Sequence, residues 1–195
     1  MFKVTFSNSK LGSIGSINLP AGITCRVDAP CRKGCYAMKG TFNFPNVKSC
    51  YQENLNTYLN DPVQAEKDIL NQLPLMGWIR IHASGDIVDE NYFLMLVRIA
   101  KKAKGVKFMM FTKKYEIVND YLASGKKIPS NLKVILSNWL NWKCENPYNL
   151  PTAELHDCSL NNEIPKKAIP CSGQCDKCFS CWNLRKNQTV MFEKH

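Results

Sequence analysis

The chain has 195 residues, with 26 Lys+Arg against 16 Asp+Glu and a formal charge of +10 at pH 7. A hydrophobic share of 45% is enough to bury a core and excludes a disordered chain, and the length leaves room for one domain with at most a small appendage. No apolar run approaches the roughly 18 residues of a membrane span, so no membrane partner is expected. Residues 1–6 lack the apolar stretch of a secretory leader, which points to the cytoplasm.

Residues 1–24 read as short extended pieces punctuated by Gly12, Gly15, Pro20 and Gly22, with a strand at 17–19 leading into a loop at 25–35. Asn46 is placed to cap a helix carrying Val47, Tyr51, Leu55, Tyr58 and Leu59 at near-helical spacing. Asp61-Pro62 opens a second helix, Asp as cap and Pro in the first turn, with Val63, Ile69, Leu70 and Leu73 inward. Residues 78–84 alternate: Ile79, Ile81 and Ala83 face one way, Arg80, His82 and Ser84 the other. Asp89 then caps a helix with Phe93, Leu96, Val97 and Ala100 on one side. A strand follows at 106–112, and Thr112 caps a helix through Ile117, Val118, Tyr121 and Leu122. Further strands are predicted at 132–137 and near 153–156, with an edge strand at 189–192. This alternation predicts an α/β fold, either a partial (β/α) barrel or an open, mostly parallel sheet. Residues 1–143 form its core. Residues 144–195, rich in Asn and Pro, form an irregular Cys-rich C-terminal extension.

Ten residues are cysteine, and in a reducing compartment that count favours metal ligation over disulfides. Cys25, Cys31 and Cys35 form one group. Three thiolates on a [4Fe–4S] cluster leave one iron open to a substrate or cofactor; the alternative completes the set with Cys50 or a histidine around zinc. Cys171, Cys175, Cys178 and Cys181 form a second group, spaced for a [4Fe–4S] cluster or one tetrahedral zinc. Cys50, Cys144 and Cys158 are isolated and read as small apolar residues.

Parallel sheets bind ligands at the carboxyl ends of their strands. Here those ends carry the Cys25 loop, Ser84-Gly85-Asp86, Thr112-Lys113-Lys114 and Ser137-Asn138. Arg80 and His82, on a shared polar face, are the catalytic candidates. His156 and His195 read as surface residues. Trp139 and Trp142 either pack the tail over the sheet or stack on a base. The positive balance fits a nucleic acid or another acidic partner.

Asn8-Ser9-Lys10-Leu11-Gly12, then Cys25, Cys31 and Cys35-Tyr36-Ala37, Ser84-Gly85-Asp86-Ile87, Phe111-Thr112-Lys113-Lys114-Tyr115 and Ile169-Pro170-Cys171 resemble the gene-product-88 family of phage and mobile-element proteins. The layout also resembles radical S-adenosylmethionine (SAM) enzymes. That resemblance implies a [4Fe–4S] cluster on Cys25, Cys31 and Cys35 with SAM on its open iron. It places Tyr36 and Ser84-Gly85-Asp86 against the cofactor and an auxiliary cluster on Cys171, Cys175, Cys178 and Cys181. It also implies a reductant such as flavodoxin or ferredoxin. The spacing departs from the usual Cys-x3-Cys-x2-Cys, and Tyr36 follows the third cysteine instead of an aromatic preceding it. Three readings follow: a radical SAM-type iron–sulfur enzyme, a zinc-stabilised nucleic-acid-binding protein of a mobile element, and a non-catalytic cluster protein for electron transfer or redox sensing.

Overall fold

The computed structural model describes residues 1–6, 11–75, 77–140, 142–160 and 165–193. Asn8, Ser9, Lys10 and His195 lie outside the described residues, as does the side chain of Cys158. The strands are β1 (Val4–Thr5), β2 (Gly15–Ile17), β3 (Gly77–Ile81), β4 (Val106–Thr112), β5 (Leu132–Ser137), β6 (Thr152–His156), β7 (Ile169–Pro170) and β8 (Thr189–Glu193). The helices are α1 (Pro45–Asn60), α2 (Pro62–Gln72), α3 (Glu90–Lys102), α4 (Tyr115–Ala123) and the one-turn α5 (Cys175–Cys178) and α6 (Ser180–Asn183).

All eight strands join one open sheet in the order β1-β2-β3-β4-β5-β6-β8-β7. Only β1 is antiparallel to its neighbour. From β2 to β6 successive strands are neighbours; α1–α2, α3 and α4 join β2 to β5 and pack on one side of the sheet, while β5 runs to β6 without a helix. Pleating then sorts the side chains. Ile79, Ile81, Phe108, Met110, Val134 and Leu136 pack under α1–α4. Met109, Ile135, Ala153 and Val190 face the other way and are covered by Cys175, Cys181, Trp182 and Leu184 of the tail. The division expected near residue 143 falls between β5 and β6 of this continuous sheet.

Several local expectations need correction. α1 starts at Pro45 with Phe44 at the cap position, and Asn46 lies within the first turn. Proline needs no partner for a missing N–H, so the helix begins at its fixed φ. Leu59 and Val63 are exposed, because the buried stripes run through Tyr51, Leu55 and Tyr58 on α1 and Ala65 and Ile69 on α2. The 25–35 stretch, expected as loop, contains a short 3-10 turn at Pro30–Gly34, and further 3-10 turns follow at Tyr36–Met38 and Gly40–Asn43. β8 is interior, between β6 and β7, and β7 is the edge. Asp61 and Asp89 do cap, accepting from the backbone N–H of Gln64 and Tyr92. Thr112 does not cap α4, since its hydroxyl is engaged elsewhere and Lys114 holds the cap position without a side-chain bond.

Candidate cysteine-lined site

The loop after β2 and the ends of β3, β4 and β5 meet through a hydrogen-bonded frame. Asn18 Oδ1 accepts from Ala83 N and Ser84 N at 2.9 and 3.2 Å, and Leu19 N donates to Ser84 O. Gly85 has φ +83°, and a Cβ there would stand 2.7 Å from Thr24 Oγ1 and 2.8 Å from Leu19 O. Only glycine lets the turn close on the cysteine loop. Asp86 is buried at the junction. Its Oδ1 accepts from Ile87 N (2.8 Å) and Thr112 Oγ1 (2.6 Å), its Oδ2 accepts from Lys113 N (2.9 Å), and its own N–H donates to Thr24 Oγ1 (3.0 Å). Burial raises its pKa despite those bonds. This carboxylate, predicted to meet a cofactor, is committed to tying β3, β4 and the cysteine loop together.

Lys113 carries the charge of the site. It is buried, donates to Ser137 Oγ at 2.6 Å and lies 5.7 Å from the centre of the Trp139 ring. Burial lowers its pKa, while Cys31, Asp86, Cys25 and Cys35 act to hold its proton. Burial likewise pushes the Cys25 thiol up to about 11 and raises Cys31, with Lys113 pulling Cys31 back. Lys113 is thus electrostatically coupled to the three-cysteine loop.

Tyr36 links this loop to β3: its hydroxyl donates to Ala83 O at 2.8 Å and receives Arg80 Nη2 at 3.1 Å. Arg80 also lines the second cysteine site. There Cys171, Cys175, Cys178 and Cys181 border one cavity of about 40 Å³, with Met109, Phe111 and Trp182 as apolar walls. The left-handed Phe179 (φ +48°) turns α5 into α6 and lets two single-turn helices present three of the four thiols. Burial raises Cys181 to about 12, with the neighbouring thiols adding to it and Arg80 opposing. Burial also pushes Cys178 up, but bonds from Ser172 and Ser180 outweigh it and hold this exposed thiol below its ordinary value. Arg80 Nε is buried without a partner, beside this cavity.

His82 is the clearest correction among the candidate residues. Its φ of +62° breaks the alternation at the end of β3, so Ala83 joins the tail-facing cluster and His82 does not share the Arg80 face. It stacks on Tyr92 of α3, with Nε2 3.2 Å from the Tyr92 hydroxyl. Burial, aided by Arg80, lowers its pKa to about 3. Ser84 is buried and Gly85 sits at the turn, both beside the cysteine loop. Trp142 packs on Tyr115 with Arg26 over its ring, and Cys144 packs against the helix-side core. Cys50 is half-buried on α1, and His156 is half-buried on β6.

Cys25, Cys31, Cys35, Cys50, Cys144, Cys171, Cys178 and Cys181 are free thiols, and among the described residues no three His, Cys, Asp or Glu side chains converge closely enough to hold a metal ion. Neutral thiols gain nothing by converging; each metal bond requires a proton to leave. The frame residues Asn18 and Thr24 lay outside the sequence reading of the site. Their one signal was position, directly before the first cysteine at the end of a predicted strand.

A family model described as Gene product 88 matches residues 3–139. The chain belongs to the phage gene-product-88 family. The match includes Cys25, Cys31 and Cys35 with the frame around Asp86, and ends before the four-cysteine stretch. No curated protein and no solved structure matches this gene-product-88 chain.

Proposed function

We propose that this gene-product-88 protein is an iron–sulfur protein with a radical SAM-like site at Cys25, Cys31 and Cys35. The observation that supports it is buried Lys113, electrostatically coupled to these thiols and bonded to Ser137 where β5 ends. Three thiolates on a cluster core of charge 2+ leave about −1, which a buried cation offsets. A cluster held there with one iron open would supply the chemistry of one-electron reductive cleavage of SAM. The chain's own part is placement. Tyr36, Ser84 and Gly85 border the ligand space; Asp86 positions the loop; Arg80 braces Tyr36 on one side and faces the four-cysteine cavity on the other. A reductant such as flavodoxin or ferredoxin would donate the electron.

At Cys171, Cys175, Cys178 and Cys181 a second reading has its own support. The four thiols border one common cavity, and a single tetrahedral zinc takes four thiolates as readily as a cluster does. A zinc there would stabilise the tail and leave the other site as the only cluster.

Anaerobic purification with iron, sulfide and zinc analysis tests both readings. Brown protein with about four irons and one zinc supports a cluster at the first site and zinc at the second; about eight irons supports two clusters. Reduction in the presence of SAM should release 5′-deoxyadenosine, and Cys31→Ala should abolish that release while metal at the second site persists. Iron and sulfide without SAM cleavage would leave electron transfer or redox sensing. Colourless protein lacking iron sinks the proposal.

A further inference from the structure

At the opposite end of the strands a second cavity of about 330 Å³ shares only Trp182 with the four-cysteine cavity. It opens where β4 and β5 begin, and Lys104, Lys107 and Lys133 line it together with Ser130 and Asn183, without any carboxylate. Register explains the gathering. Lys107 shares the face of Met109 on β4, and Lys133 shares that of Ile135 on β5, so both project toward the tail beside Trp182. Lys104 precedes β4 and completes the set. Lys107 Nζ stands 4.5 Å from the centre of the Trp78 ring, which holds its stem to the wall. Lys133 is half-buried.

Two buried carboxylates elsewhere have cations: Glu66 takes Arg98 and Lys102, and Glu154 takes Lys143. Among the described residues, these three lysines have no such counter-charge. Three ammonium groups sharing one recess repel one another, and a multiply charged anion removes that repulsion. Lys101, Lys126 and Lys127 lie on the segments entering the same end, where α3 runs into β4 and α4 into β5. The basic surface therefore extends beyond one phosphate.

We propose that the cavity at the start of β4 and β5 binds phosphate groups of a nucleotide unit, free or within a single strand, through Lys104, Lys107 and Lys133. No cysteine lines this cavity.

The test is fluorescence anisotropy with a labelled 15-nucleotide single-stranded DNA across a salt series, with ATP as competitor. The Lys104→Gln/Lys107→Gln/Lys133→Gln variant should bind at least about 10-fold more weakly, with the salt slope shallower by about 2. Lys39→Gln/Lys48→Gln/Lys67→Gln, the same charge change on exposed positions elsewhere, should bind like the parent within about threefold. Thermal melts establish that each variant is folded, and Lys104→Gln alone, in an exposed loop, should still lose about threefold if the triple variant does not fold. Displacement of the strand by ATP assigns the site to a free nucleotide; resistance to ATP assigns it to the strand. Failure of both probes to bind overturns the proposal, and so does an equal loss in the two triple variants or full binding by the cavity variant.

Discussion

At the residue scale, three positions carry their reasons in their local geometry. Gly85 combines φ +83° with backbone and side-chain atoms within 2.8 Å of any added Cβ. Gly85→Ala should cost about 2–5 kcal/mol in urea denaturation, the sum of left-handed strain and overpacking. Burial lowers the pKa of His82 to about 3, the Arg80 charge adds to it, and Tyr92 stacks on the ring. A depressed pKa means stability that is present above about 6.5 and lost as pH falls toward 3, on the order of 5 kcal/mol at its limit. His82→Asn tolerates the positive φ and removes the titration, so its stability should fall less steeply over that window. Buried Asp86, raised in pKa, acts in the opposite sense as pH rises and is common to both proteins. Cys178 is exposed and its thiol lies below the ordinary range, whereas Cys175 and Cys181 are buried. In metal-free protein, iodoacetamide followed by peptide mass spectrometry should modify Cys178 first of the four.

At the element scale, polar side chains connect the helices to one another and to the first strand. Asp89 caps α3 and also accepts the Tyr58 hydroxyl of α1 at 2.6 Å. Asp89→Ala should therefore cost more than a surface cap, about 2–3 kcal/mol, and Tyr58→Phe about 1. A double-mutant cycle should show the two changes to be non-additive. β1 has only two residues, and it is held by Asp68, Asn54 and Gln72 of the helices, which bond the backbone of Phe2, Lys3 and Val4. Periodicity shows α1 and α2 clearly, but it gives no sign that their polar residues Asn54 and Asp68 are buried for this purpose. Pattern alone also misplaces the start of α1, because Asn46 and Pro45 are both legitimate helix-opening residues and only the chain's approach selects Pro45.

At the scale of the whole molecule, the tail is the second lid of the sheet. Trp182 packs with Trp78 and Phe179, and its Nε1 donates to Ile79 O across 103 residues of chain. Trp182→Ala should cost about 3–5 kcal/mol and expose the tail to limited proteolysis, read as cleavage after residue 144. By itself the sequence determined the α/β alternation, the parallel sheet, the capping by Asp61 and Asp89, and the grouping of thiols into three and four. Each of these is set by spacing along the chain: helical and strand periods, turn residues, and cysteines only a few positions apart. Only the tertiary structure decided that His82 turns away from Arg80, that β8 lies inside the sheet, that Asp86 is a tie and that three lysines share a recess. Those depend on one backbone torsion, on strand order and on burial, which bring together segments tens of residues apart that no local pattern relates.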